Sequence, residues 1–504
     1  MKRVLALLLA VLMCSAVLVS CGNNNDDPVT TTTTQQGEVT EPTGTTTESP
    51  YDANGYLKDD LDPSLNYANK TINVLYWSDV ERHEFEIEQI TGDLVDDAIY
   101  NRNMTVENRL GVTLNWVGTP GNYGNQAAFV AQCQNDVNSG GEFNIFAGYS
   151  LTAATIALNG LSRDLMQVDN LNFEQPWWPA SLIDQATING KLYFCSGDIS
   201  TNMLHMMYAC VFNKDQAEEY GMGDLYKLVR DGEWTLDKMI ELCEGTYRDL
   251  DGNNDKNDAD HYGFVTTDLH YDALFTGAGL KTIEKGEDGL PVISSSFGST
   301  KTQALLEKMV TFINNGENAF TNSLKSGYSS ANALRDGRAV ITMDRIYITS
   351  GTLKDVSDFS IGVLPVPKWD AEQKDYVTCM GFPYTIYSIS TALSNEDADM
   401  TGAVLECLGS EGYRQVTPAL FETSMKLKYA SGQDDSDMYD LIRSSIYIDL
   451  GRIFTTSFSN VTYSAFRSTL HRLSTNWASV YKGYDKVLKT QLKKVVTTLE
   501  DMAK

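Results

Sequence analysis

Between Asp249 and Asp260 the chain reads Asp249-Leu250-Asp251-Gly252-Asn253-Asn254-Asp255-Lys256-Asn257-Asp258-Ala259-Asp260. Side-chain oxygens at Asp249, Asp251, Asn253, Asn257 and Asp260 fall at positions 1, 3, 5, 9 and 12 of a twelve-residue loop, and Asp255 at position 7 can offer its carbonyl. This is the spacing with which an EF-hand loop wraps one Ca²⁺ in oxygens. Three departures accompany it. Asn254 stands in place of the usual glycine at position 6, although Asn tolerates the left-handed backbone required there. Asp260 replaces the longer bidentate Glu, and Lys256 replaces an apolar residue at position 8. Tyr262-Gly263-Phe264 reads as a strand, so no second EF-hand helix follows. A solvated acidic loop is the alternative reading.

Other reactive patterns are sparse. The sequence contains no HExxH, no GxSxG and no phosphate-cradling GxxxxGK. His83, His205, His261, His270 and His471 are scattered, without the spacing of zinc ligands. A pair of carboxylates suited to glycoside hydrolysis is assembled only in three dimensions, so sequence leaves that chemistry open.

The N-terminus is an address. Lys2 and Arg3 precede a 16-residue apolar run, Val4 to Val19, followed by Ser20, Cys21 and Gly22. A basic start, a short apolar stretch and a small residue before the cut form a secretory signal, and the run is shorter than the roughly 20 residues that span a bilayer. Leu18-Val19-Ser20-Cys21 resembles the bacterial lipobox, in which the cysteine is acylated and becomes the new N-terminus. Two acyl chains, palmitate among them, give stable anchoring. Residues 1–20 are thus expected to be a signal peptide. Residues 21–69 are expected to be the lipidated Cys21 and a disordered tether, since Gly22 to Pro50 carries ten threonines and almost nothing apolar. The expected location is the extracellular face of the cell membrane.

About 450 residues remain, enough for two or three domains' worth of core. The net charge is −28 and becomes −30 once Lys2 and Arg3 leave. So acidic a surface argues against nucleic acid and anionic lipid as partners. Cys133, Cys195, Cys210, Cys243, Cys379 and Cys407 are widely spaced with no CxxC pair and read as small core residues, not as a disulfide framework.

Strand and helix patterns alternate along the folded part. Thr71–Trp77, Val112–Trp116 and Phe143–Ala147 read as strands, separated by helices over Leu94–Leu110 and Gln126–Val137 and followed by one over Leu151–Leu161. Met206–Phe212, Ala339–Met343, Phe359–Leu364 and Tyr384–Ile389 are further strands. Helices are expected over Leu305–Ile313, Asp397–Leu408 and Trp477–Met502. The last has Leu488, Leu492, Val495, Leu499 and Met502 on one stripe, read as packing. Alternation of this kind predicts parallel sheets covered on both faces, with ligands at the carboxyl ends of strands.

Three stretches then carry a resemblance. The first is Asn189-Gly190-Lys191-Leu192-Tyr193-Phe194, leading to a strand that ends in Phe212-Asn213-Lys214-Asp215. The second is Asp336-Gly337-Arg338-Ala339-Val340-Ile341, leading to Gly362-Val363-Leu364-Pro365-Val366-Pro367. The third is the helix ending near Gly409-Ser410-Glu411-Gly412-Tyr413. In order and spacing they resemble the extracellular solute-binding proteins of ABC importers, the broad family that includes maltose-binding protein. The resemblance implies an α/β, two-lobe periplasmic-binding-protein-like fold of type II, with crossing hinge segments and a helical C-terminus. It places lobe one at 70–198 plus 342–415 and lobe two at 199–341 plus 416–504. The crossings fall near Asp198-Ile199, Met343-Asp344 and Val416-Thr417. Ligand then binds between lobes that close by hinge motion, and the closed form docks on ABC permease subunits.

Sugar binding pairs aromatic faces with charged and amide groups that bridge hydroxyls. Candidates at strand ends and crossings are Trp77, Asp79, Tyr149, Asp198, Asp344, Arg345, Tyr347, Phe382 and Tyr384. The resemblance adds Tyr463 and Phe466 by position. The expected function is capture of a carbohydrate, an oligosaccharide, by a tethered non-enzymatic binding protein. A surface glycan-processing enzyme or glycan-adhering lipoprotein without a transporter is the alternative. The Ca²⁺ loop is expected to play a structural part, pinning a surface loop of lobe two.

Overall fold

A computed structural model of the protein describes residues 49–315, 318–421 and 433–502. The signal segment, Cys21 and the threonine-rich stretch lie outside the described residues. A compact unit begins at Pro50 and is built on two main sheets.

The first sheet contains β1 (Lys70–Trp77), β2 (Val112–Thr119), β3 (Ile145–Tyr149) and β11 (Thr385–Ile389), in the order β11-β3-β1-β2. β1 runs parallel to β2 and β3, whereas β11 is antiparallel to β3. Every residue of β3 and β11 is buried, as expected of strands covered on both faces. The helix Leu94–Leu110 joins β1 to β2. Asp93 caps its start by accepting from the Val95 and Asp96 amides, and Gly111 ends it in the left-handed conformation at φ 59°. Its buried residues Val95, Ile99, Val106 and Leu110 recur at helical spacing.

The second sheet holds β4 (Tyr208–Asn213), β5 (Tyr262–Thr267), β8 (Ala319–Asn322), β9 (Ala339–Arg345) and β10 (Ile361–Leu364), ordered β10-β4-β9-β5-β8. β6 (Ile283–Lys285) and β7 (Pro291–Ile293) form a separate hairpin. β5 is parallel to β8 and β9, but β4 is antiparallel to β9 and β10 to β4. Both sheets are therefore mixed, not purely parallel. The antiparallel neighbours arise where the chain arrives from, or departs to, the other sheet, and there no right-handed helical crossover exists to impose parallel pairing.

Four further expectations need correction. Residues 51–69 are packed, not a tether: Leu61 is buried, Arg109 forms an ion pair with Asp59 at 2.5 Å, and the Tyr67 amide donates to the Leu110 carbonyl. The return crossing lies between β10 and β11, not at Met343-Asp344, because β9 continues through Arg345 and β10 pairs with β4. The helix Thr417–Phe421 packs on Leu94–Leu110 of the first sheet's layer, and the helix Gln433–Ser444 packs on β10, so Val416-Thr417 is not where the chain changes lobes. The helix expected over Leu151–Leu161 is shorter, Ser150–Thr152 being a 3-10 turn and Ala153–Leu158 the helix.

The six cysteines are buried and free. In the C-terminal helix Trp477–Met502, Leu488, Val495 and Leu499 are buried and Leu492 and Met502 pack against the core, so its stripe is a packing face.

Trp177 and Trp178 are also buried, and the Trp178 indole donates to Glu406 Oε2 at 3.1 Å, as does the Asn172 amide. Burial, with Asp59 and Asp60 nearby, pushes the Glu406 carboxyl up to about 8. Because the folded value lies above the ordinary 4.5, the stability this group supplies is complete below pH 4.5 and is lost as pH rises toward 8. Glu406→Gln keeps an acceptor for Trp178 and never ionises. Its unfolding free energy is expected to exceed that of the parent by about 2 kcal/mol at pH 9 and to match it near pH 4, as read by denaturant titration at the two pH values.

Candidate functional site

A cavity of about 570 Å³ opens between the carboxyl ends of the two sheets. The first sheet's layer contributes Glu81 from beyond β1, Tyr123 from the loop after β2, and Tyr149 at the end of β3. The second contributes Tyr208 at the start of β4, His270 after β5, Lys325 after β8 and Arg345 at the end of β9. The return crossing supplies Phe382, and the helix Val461–His471 supplies Tyr463, Arg467 and His471.

Four of the expected residues line this space: Tyr149, Arg345, Phe382 and Tyr463. Three more hold it from behind. Asp79 accepts from the Gly121 and Asn122 amides at 2.7 and 2.9 Å and from Asn125 Nδ2 at 2.9 Å, which folds the loop that presents Tyr123. Trp77 is buried against Tyr149, with ring centroids 5.1 Å apart, and its indole donates to Thr385 Oγ1. Asp344 accepts from Ser330 Oγ at 3.2 Å and from the Arg345 amide at 2.6 Å, and lies 3.3 Å from His270 Nε2.

The other four stand elsewhere, each for a packing reason. Asp198 is buried at the first crossing and pairs at 2.6 Å with Arg443 of the helix Gln433–Ser444. Tyr347 meets His205 edge-on. Tyr384 is buried away from the cavity, beside Ser150. Phe466 is on the inner face of its helix, against Phe275 and Trp477.

The site's electrostatics are set by matched charges. Arg345 reaches Glu81 Oε2 from the facing lobe at 3.3 Å. Asp272, wholly buried, receives Arg452 at 2.6 Å and Arg467 at 2.5 Å. Burial pushes the Asp272 carboxyl up, but the two guanidiniums outweigh this and hold it below the usual carboxylate range. Each guanidinium also covers an aromatic face, Arg452 that of Phe382 at 4.3 Å and Arg467 that of Tyr463 at 4.9 Å. The Phe382 and Tyr463 rings meet edge-to-face at 5.4 Å. Tyr463 Oη and Tyr123 Oη approach to 3.5 Å across the opening, and burial raises the Tyr463 hydroxyl to about 12. His270 Nδ1 donates to the Met343 carbonyl at 3.0 Å, and burial lowers its pKa against the pull of Asp344.

Sequence reasoning omits Glu81, Tyr123, Tyr208, His270, Arg467 and His471. Arg467 had a signal, since it stands one helical turn after Tyr463 and so shares its face. Glu81 and Tyr123 sit in loops whose course no periodicity reports.

In the acidic loop, Asp249, Asp251 and Asp260 each bring a carboxylate oxygen within 4.8 Å of the others. Asn254 adopts φ 62° as expected, and the amides of Gly252 and Asn254 donate to Asp249. Asp260 is buried and fixed by the amides of Leu250 and Asn257. Lys256 turns away to the Tyr262 ring and the Ile313 carbonyl. Asn253 and Asn257 direct their amide nitrogens at Asp251, and Asp255 stands outside the carboxylate trio. Three of the six expected ligands therefore converge.

No family model matches the sequence, and no curated protein matches it. Similarity appears in structure. A maltose/maltodextrin-binding domain from Bdellovibrio bacteriovorus, bound to maltotriose, superposes with a TM-score of 0.51 at 14% identity, over 84% of this chain and 100% of that one. An ABC substrate-binding protein from Listeria monocytogenes in complex with cycloalternan gives 0.51 at 14% identity, over 86% and 99%. A cyclo/maltodextrin-binding protein complexed with maltotetraose gives 0.55 at 11% identity, over 85% and 98%. The fold is that of the two-lobed, type II substrate-binding proteins, as the ordered sequence stretches imply.

Asp272→Ala is expected to strand two buried guanidiniums and to lower the unfolding free energy by about 3 kcal/mol or more, measured by urea titration.

Proposed function

We propose that this protein captures an oligosaccharide for an ABC importer and does so without chemical turnover. One observation carries the reading: an aromatic pair, Phe382 and Tyr463, stands beside charge-paired arginines in a cavity between two sheet-based lobes. Flat rings cover the apolar faces of a sugar. Guanidiniums and carboxylates that already neutralise one another can still donate to and accept from hydroxyls, so a neutral ligand enters without meeting an unpaired charge. The solved structures of like fold hold maltotriose, cycloalternan and maltotetraose, which makes α-glucans the first ligands to try. In this reading Cys21 carries the lipid that keeps the protein on the outer face of the membrane, and ABC permease subunits receive the loaded form.

Titration calorimetry with linear and cyclic maltodextrins is expected to show one saturable site. Tyr463→Ala is expected to weaken it at least tenfold, while the carbohydrate is recovered intact. Cleavage products, or equal affinity in the variant, would sink the reading.

The same proposal gives the acidic loop to Ca²⁺, with Asp249, Asp251 and Asp260 as its anchors and Asn253, Asp255 and Asn257 completing the shell by side chain or carbonyl. Its part is structural, tying the loop to the start of β5. Millimolar Ca²⁺ is expected to raise Tm by a few degrees over chelator, by mass action on the folded state, and Asp251→Ala to abolish the difference.

A further inference from the structure

A second concavity, of about 660 Å³, shares no lining residue with the cleft. One wall is Lys368 with the end of the helix Leu225–Arg230 and its turn at Gly232. The other is formed by residues 374–377 of the return crossing and by residues 444–447 at and just after the end of the helix Gln433–Ser444. These two segments run side by side, the Thr378 amide donating to the Ser445 carbonyl and the Tyr447 amide to the Thr378 carbonyl.

Lys368 is the unusual member. Only 3% of it is exposed. Its main chain is fixed between Trp234 and Leu236, the Lys368 amide donating to the Trp234 carbonyl and the Leu236 amide to the Lys368 carbonyl. Its ammonium lies 5.2 Å from the centre of the Tyr376 ring and beside Gly232, both of which line the same groove. Among the described residues no carboxylate pairs with this ammonium and no oxygen accepts a hydrogen bond from it. Lys214, by contrast, is also largely buried and is paired with Asp435 at 2.7 Å. A lysine ammonium carries three donors, and a ring face satisfies them only in part. Two more cations stand at the groove, Lys374 exposed and Arg230 shared with Asp434 at 2.6 Å, against a single lining carboxylate, Asp375. This local excess of positive charge sits on a chain of net charge −28.

We infer that this groove binds a small anion bearing a phosphate or carboxylate group, with the Lys368 ammonium as its central partner and Lys374 and Arg230 at the rim. Such a ligand supplies the oxygens that Lys368 lacks within the protein, and a charge-assisted bond is stronger than a neutral one. The inference does not depend on what the cleft holds.

The mature chain is titrated calorimetrically with inorganic phosphate and, separately, with succinate, at an ionic strength held constant with sodium chloride. One-to-one saturable binding of at least one probe is expected, and the preferred probe identifies the group recognised. Lys368→Met is expected to weaken it at least twentyfold without lowering Tm, since the substitution keeps the largely buried apolar stem and its volume. Lys374→Glu, at an exposed position that cannot unfold the protein, is expected to weaken it at least threefold. Three results would each overturn the inference: no saturable binding of either probe, equal affinity in both variants, or a Lys368→Met protein of lowered Tm with unchanged binding.

Discussion

Glu84 is a carboxylate with no access to solvent, and the junction between the two lobes is organised around it. It accepts from Ser200 Oγ, from the Asn202 amide at 2.7 Å, and from Thr385 Oγ1. Those partners belong to the first crossing and to the start of β11, where the return crossing ends. Burial pushes the carboxyl pKa up. Arg102, equally buried, does not pair with that carboxylate. It donates to the Glu84 and Ile199 carbonyls, at 3.0 and 3.2 Å, and so ties the helix Leu94–Leu110 to the same node. A junction made of polar groups that satisfy one another in one arrangement is costly to disturb, and that fixes where the crossings begin.

From this node the cleft follows with little freedom. Thr385, which donates to Glu84, accepts from the Trp77 indole, and Trp77 supports Tyr149 at the rim. The opposite rim is set by Asp272, whose two guanidiniums lie against Phe382 and Tyr463. In each case a buried polar contact orients an aromatic ring, and the ring faces the opening. An arrangement in which donors are already neutralised discriminates by shape and hydroxyl geometry more than by charge.

The sequence is most informative where physics is local. The helices Leu94–Leu110 and Trp477–Met502 are legible to the residue, the first from its apolar stripe with a capping Asp and a terminal Gly, the second from its apolar stripe alone. Strands β1 and β9 are legible from their run of β-formers. Sheet composition is not, because whether Ile361–Leu364 pairs with β4 or joins the other sheet depends on contacts about 150 residues apart. The same limit governs the site. Tyr149, Arg345 and Tyr463 lie at strand or helix positions, and Phe382 on the return crossing, that face the cleft, whereas Asp198, Tyr384 and Phe466 have similar local signals and are drawn into a hinge or a core. Aromatic and acidic residues serve burial and binding alike, and only the fold separates the two uses.

The stretch from Tyr51 to Leu61 fastens the beginning of the folded chain onto the first lobe through Asp59 and Arg109. At the other end, the helix Trp477–Met502 leaves the second lobe, where the Trp477 indole donates to the Phe297 carbonyl, and reaches the first, where Lys191 donates to the Met502 carbonyl. Both ends of the described fold are thus fastened to the first lobe, one by an ion pair and the other by a lysine on a helix-terminal carbonyl.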